Sequence, residues 1–137
     1  ETLPIRIPDS LVLLTRDDDG NFWAVNKFKP GLSNSFYIYN NNSFQPVYFD
    51  STDFSVGGGF IRNLFIGKNG DFWICPAFEG IHQYKLNKQT KQFQFVKKYL
   101  HSGTDVFDIV EKENGILWAG VYNEGLLRID TKNNTIK

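Results

Sequence analysis

Few side chains in this 137-residue sequence stand at spacings that do chemistry. Asp17, Asp18 and Asp19 ahead of Gly20 resemble a calcium loop, in which oxygen ligands alternate and a glycine holds the sixth place. With Gly20 at that place the first position falls on Thr15 and the twelfth on Asn26, neither a carboxylate, so the run reads as a solvated turn. His82 and His101 lie 19 residues apart with no Cys or His partner at metal-ligand spacing. Cys75 precedes His82 by seven residues but falls in an apolar run, where nothing marks the thiol as activated. No Gly-x-Ser-x-Gly elbow occurs, and Gly57-Gly58-Gly59 lacks the following Lys and helix of a phosphate-cradling loop. Paired carboxylates for glycoside cleavage are defined by separation in space, which leaves that chemistry open. The sequence therefore assigns no catalytic residue, no metal site and no cofactor.

What it does assign is a repeat. Three times a glycine in a polar turn is followed by a tryptophan: Gly20 and Trp23, Gly70 and Trp73, Gly115 and Trp118. The tryptophans are 50 and then 45 residues apart. Each turn, Asp18 to Asn21, Lys68 to Asp71 and Glu113 to Ile116, carries the Asp/Asn-then-Gly chemistry that suits positive φ in a hairpin. Apolar runs flank it: 11–14 and 22–25, 61–66 and 72–75, 106–110 and 117–119. Third runs follow at 36–39, 81–86 and 126–129, and fourth runs at 44–49 and 93–99, while the chain reaches Ile136 and Lys137 where a third fourth run would begin. Four short strands recurring every 45 to 50 residues predict propeller blades. Pro46, lacking an N–H, suits the edge strand that the outermost strand of a blade forms. No apolar stripe of helical period appears, so the chain is expected to be all-β.

Composition fits that reading. Thirteen Phe, six Tyr and three Trp suit half-buried pleated surfaces, and most of them are expected in the core. Fifteen basic and fifteen acidic residues cancel with no basic stripe, which argues against nucleic acid as a partner. One cysteine forms no internal disulfide, and no apolar run reaches membrane-span length or an export-signal pattern. The expected organisation is 1–10 as the tail of a preceding blade or connection, 11–50 as a first blade, 51–103 as a second and 104–137 as an incomplete third. Propellers typically close with about four to eight blades. Three are expected to be a piece of a larger, seven-bladed ring, with other blades of that ring as neighbours.

The segments LLTRDDDGNFWAV from Leu13 to Val25, LFIGKNGDFWIC from Leu64 to Cys75, and IVEKENGILWAGVYNEGLLRID from Ile109 to Asp130 identify the family. The chain resembles the two-component regulator propeller repeat over nearly its whole length. It departs from the family in an enlarged Lys27 to Ser35 loop and in Cys75-Pro76, where Gly-Thr is usual. The resemblance implies the periplasmic sensor region of a hybrid two-component histidine kinase. Many such regions respond to oligosaccharides and work as homodimers, and since the sequence holds no competent catalytic constellation and no membrane-span run, neither catalysis nor membrane contact is expected of these blades. A propeller scaffold or binding module outside signalling is the alternative, and a polysaccharide-active enzyme a more distant one.

In a propeller the loops between second and third strands emerge on one face with the blade-to-blade connections. They place Lys27, Phe28, Phe78, Glu79, Tyr122, Asn123 and Glu124 as the candidate ligand contacts. Aromatic faces with polar neighbours suit a sugar ring, whose C–H faces are apolar and whose rim is hydroxylated. The competing reading is structural: Phe78 as a blade cap, Glu79 and Glu124 as turn residues before glycines, and Tyr122 as filler between blades.

Overall fold

The computed structural model describes residues 10–26, 36–50 and 60–137. Among them it is all-β, with twelve strands and no helix, hence no helix able to cross a membrane. The strands are β1 (Leu11–Arg16), β2 (Phe22–Asn26), β3 (Phe36–Asn40), β4 (Ser43–Asp50), β5 (Ile61–Ile66), β6 (Phe72–Pro76), β7 (Ile81–Asn87), β8 (Gln92–Tyr99), β9 (Val106–Glu113), β10 (Ile116–Val121), β11 (Gly125–Asp130) and β12 (Thr135–Ile136). They form three groups of four antiparallel neighbours, β1–β4, β5–β8 and β9–β12. Each tryptophan-bearing strand is the second of its group, as the Gly–Trp spacing predicts.

Turn chemistry explains the hairpins. Gly20, Gly70 and Gly115 all have positive φ, at 85°, 74° and 83°. The β3–β4 hairpin turns on Asn41 and Asn42, with φ of 49° and 61°, the pair of left-handed residues that a type I′ turn requires. Gly80 is constrained more severely. Its φ is +70°, and a Cβ there would lie 2.6 Å from the Tyr99 carbonyl oxygen and 3.0 Å from that of Leu100. Gly80→Ala is expected to cost about 2 kcal/mol. Gly70, with φ +74° and open space around it, is expected to cost about half that. Urea unfolding of the two variants checks the difference, and equal costs would show that the carbonyl contacts at Gly80 do not matter.

Alternation along the strands builds two cores. Trp23, Val25, Phe36, Val47, Phe72, Ile74, Tyr84 and Phe93 fill the space between the first and second groups. Trp23 meets the Phe72 edge at 4.8 Å between centroids. The opposite face of the second group, with Trp73, Cys75, Ile81 and Tyr99, packs on Val106, Ile109, Leu117, Ala119, Val121 and Ile129 of the third. Facing residues of β6 thus divide cleanly: Ile74 belongs to one core and Cys75 to the next.

The first strands of neighbouring groups stand side by side at matching repeat positions. Asn63 donates to Asp108 at 2.9 Å, and Asn69 and Asn114 exchange hydrogen bonds at 2.8 and 3.1 Å. Both pairs are 45 residues apart, the same interval as Trp73 to Trp118. Glu111 closes the same seam: its carboxylate accepts the Lys68 amide at 2.6 Å and the Gly115 amide at 2.8 Å.

One feature departs from the sequence reading. β4 is an edge only in part, because Tyr48, Phe49 and Asp50 pair in parallel with Gln92, Phe93 and Gln94 of β8, joining the first two groups into one eight-stranded sheet. Exposed edge amides and carbonyls gain partners by this pairing. Pro46 precedes the paired stretch and faces only β3 in the register, so its missing N–H costs no ladder bond to β8. The fourth strand of the third group exists in abbreviated form, Thr135–Ile136 against Ile129 and Asp130.

Candidate functional site

Three exposed aromatic side chains, Phe78, Phe107 and Tyr122, collect where the second and third groups meet. Each comes from a different element. Phe78 is on the β6–β7 loop, Phe107 is on β9 and Tyr122 is on the β10–β11 loop. Between them lies Arg62 of β5, its guanidinium carbon 4.9 Å from the Phe107 ring centre and 5.8 Å from that of Phe78. The Phe107 and Tyr122 rings are 6.1 Å apart. The result is a continuous line, Phe78–Arg62–Phe107–Tyr122, held by cation–π and ring contacts.

Asp105 anchors three of its members, Arg62, Phe78 and Tyr122. Only 4% of its side chain is exposed, against 34% for Arg62. Its carboxylate accepts Arg62 Nε at 3.2 Å and Nη2 at 3.0 Å, a two-pronged ion pair whose geometry suits a guanidinium. The same carboxylate accepts the Phe78 amide at 3.2 Å, and the Asp105 carbonyl accepts the Tyr122 amide at 2.9 Å. Phe78 sits at φ 59°, an unfavourable conformation for a bulky residue. That bond to Asp105, together with a 2.6 Å bond from the Gly103 amide to its own carbonyl, holds it there.

The sequence-predicted residues separate here. Phe78 and Tyr122 are brought onto one line. Glu79 is engaged elsewhere, accepting Lys98 Nζ at 2.7 Å and Ser102 Oγ at 2.8 Å. The Lys98 hydrogen bond holds its carboxyl below the usual range. Asn123 has φ 62° and shapes the turn, while the Glu124 amide donates to the Val121 carbonyl and its side chain is exposed. Lys27 and Phe28 lie outside the described residues. Arg62, Phe107 and the anchoring role of Asp105 were missed. The signal was available for two of them: Arg62 precedes Gly70 by eight residues, Phe107 precedes Gly115 by eight, and equal repeat positions stand side by side.

Cys75 is not an activated nucleophile. Cys75 is fully buried in the second core, and burial pushes its thiol well up, which opposes thiolate formation. His82 pairs with Ile74 in the sheet, so it lies on the opposite face from Cys75 and the two form no dyad. Among the described residues no group of carboxylate, His and Cys side chains is arranged for a metal.

His82 has a structural consequence instead. It is buried, its Nε2 lies 2.9 Å from the Glu79 carbonyl and donates to it, and burial lowers its pKa from 6.5 to about 4. The unfolded chain then binds more protons than the folded one between those values. Stability from this group is full above pH 6.5 and is lost as pH falls towards about 4. His82→Gln is expected to flatten that part of the stability–pH curve, and an unchanged slope would assign the acid sensitivity to other groups.

Comparison with solved structures then decides the fold. YCF48 from Cyanidioschyzon merolae superposes with a TM-score of 0.67 at 18% identity, covering 93% of this chain and 39% of that one. The extracellular domain of the hybrid two-component system BT3049 from B. thetaiotaomicron superposes with a TM-score of 0.64 at 17% identity, covering 100% of this chain and 19% of that one. The fold is that of a β-propeller, in the form of a fragment. The chain spans about two fifths and one fifth of these two relatives. No protein-family model matches it, and no curated protein does.

Proposed function

We propose that this chain is part of the extracytoplasmic ligand-sensing propeller of a hybrid two-component sensor, located in the periplasm. It binds an oligosaccharide and passes the signal to an intracellular histidine kinase, as a homodimer and without catalysis of its own. The three strand groups are successive blades of that propeller. The observation that carries the reading is the exposed Phe78–Arg62–Phe107–Tyr122 line, in which Arg62, Phe78 and Tyr122 are anchored by the buried Asp105. Aromatic faces that remain exposed on a rigid mount are available for stacking against a sugar, and the guanidinium edge is available for its hydroxyls. The likeness to the extracellular domain of a hybrid two-component system supports the context.

A second reading, a recognition propeller outside signalling, is favoured by the same cluster, since exposed Tyr and Arg beside apolar rings also compose protein–protein hot spots. Affinity separates the two. Phe107→Ala and Tyr122→Ala are each expected to weaken oligosaccharide binding about tenfold, roughly the worth of one stacked face. Melting temperature is expected to stay unchanged, because both rings are at least half exposed. Titration calorimetry against a glycan panel, with thermal melts in parallel, checks both. Undiminished affinity in both variants would remove the aromatic line as the ligand site.

A further inference from the structure

The charges around the aromatic line select among saccharides, and this step rests on the saccharide reading above. Each of three exposed rings has an acidic residue within two positions: Glu79 after Phe78, Asp108 after Phe107, and Glu124 after Tyr122. Among the described residues two cations, Arg62 and Lys98, are paired with acidic residues next to these rings in sequence or bonding. Arg62 is paired with Asp105 at 3.0 Å and Lys98 with Glu79 at 2.7 Å. Asp108 accepts only from neutral donors, Asn63 Nδ2 at 2.9 Å and the Ile109 amide at 2.8 Å, so its charge is not offset. Glu124 is exposed and no described cation pairs with it. Among the described residues, the two carboxylates that follow Phe107 and Tyr122 in sequence are therefore left over, and the Arg62 guanidinium has spent Nε and Nη2 on a buried partner.

We infer that the site takes an uncharged saccharide and disfavours one bearing carboxylates or sulfates. A like charge brought within a Debye length, about 8 Å at physiological salt, meets repulsion that the paired Arg62 does not offset. A neutral sugar stacks on Phe107 and Tyr122 and donates hydroxyls to Asp108 and Glu124 with no such penalty. The acidic pair is then a specificity element rather than an incidental solvated rim.

Matched probes test this directly. Uronic-acid oligomers of the galacturonate, glucuronate and mannuronate types, each with its carboxyl-reduced counterpart, present the same chain length with and without charge. Binding to the full chain is measured at about 0.02 M and about 0.5 M NaCl. The reduced member of a pair is expected to bind about tenfold tighter at low salt, with the gap closing at high salt. Asp108→Asn with Glu124→Gln is expected to narrow the gap at low salt. Tighter binding of the acidic member, weakened by salt, would overturn the charge inference and leave the saccharide reading standing. Equal binding of both members would overturn it too. If no member of any pair binds, the saccharide reading falls and this inference with it.

Discussion

Trp73→Ala is expected to cost about 3 to 5 kcal/mol, the range for removing a large buried aromatic, while Trp118→Ala costs well under half of that. The two residues occupy the same place in successive repeats, so the difference isolates what a neighbouring blade contributes. Trp73 is 3% exposed and packs in the second core, 5.7 Å from the Tyr99 ring. Its indole nitrogen lies 2.9 Å from where a Cβ on Gly67 would sit, so the second turn is moulded against it. Trp118 is only half-buried, on the face of β10 turned away from Leu117, Ala119 and Val121. Across the ladder from it lie Val110, 55% exposed, and Arg128. Since a domain has only about 5 to 15 kcal/mol in total, the Trp73 variant is measured by urea unfolding beside the milder Trp73→Phe, which keeps a ring in the same cavity. Equal losses from Trp73→Ala and Trp118→Ala would mean that packing between repeats is not what stabilises them.

That contrast also shows which parts of this molecule sequence alone could convey. The Gly–Trp interval records where strands begin and which residue each blade presents to the next, because both are dictated by turn φ and by alternation across the pleat. Trp23, Trp73 and the apolar residues beside them accordingly fall where periodicity puts them. The parallel β4–β8 pairing was not legible, since Tyr48–Asp50 and Gln92–Gln94 carry no pattern that distinguishes a paired edge from a free one. The candidate site was half legible. Phe78 and Tyr122 are on loops, where an aromatic has no packing reason to be and so stands out. Arg62 and Phe107 are inside strands, where Phe107 reads as core and Arg62 as an ordinary outward residue. Only the side-by-side alignment of repeat positions brings them together, and the bulge between Gly120 and Val121, which displaces Phe107 from the regular ladder, leaves it exposed.

Arg62→Ala is expected to cost about 3 kcal/mol, more than Asp105→Asn, because the two partners differ in their access to water. Arg62 keeps a third of its side chain exposed and can swing outward when Asp105 is neutralised. Asp105 has no such route. Without Arg62 its carboxylate stays buried with the Phe78 amide as its remaining donor, and an uncompensated buried anion is what makes breaking such pairs costly. Removing both groups in Arg62→Ala/Asp105→Ala abolishes the stranded charge, so the double variant is expected to recover part of the loss despite lacking more hydrogen bonds. Urea unfolding of the two singles and the double forms the cycle. Strict additivity would show that Asp105 and Arg62 are not energetically coupled, and that the aromatic line is held by its rings alone. Recovery in the double variant, together with weakened oligosaccharide binding in both singles, would place the buried carboxylate as the mount on which Phe78, Arg62 and Tyr122 are displayed.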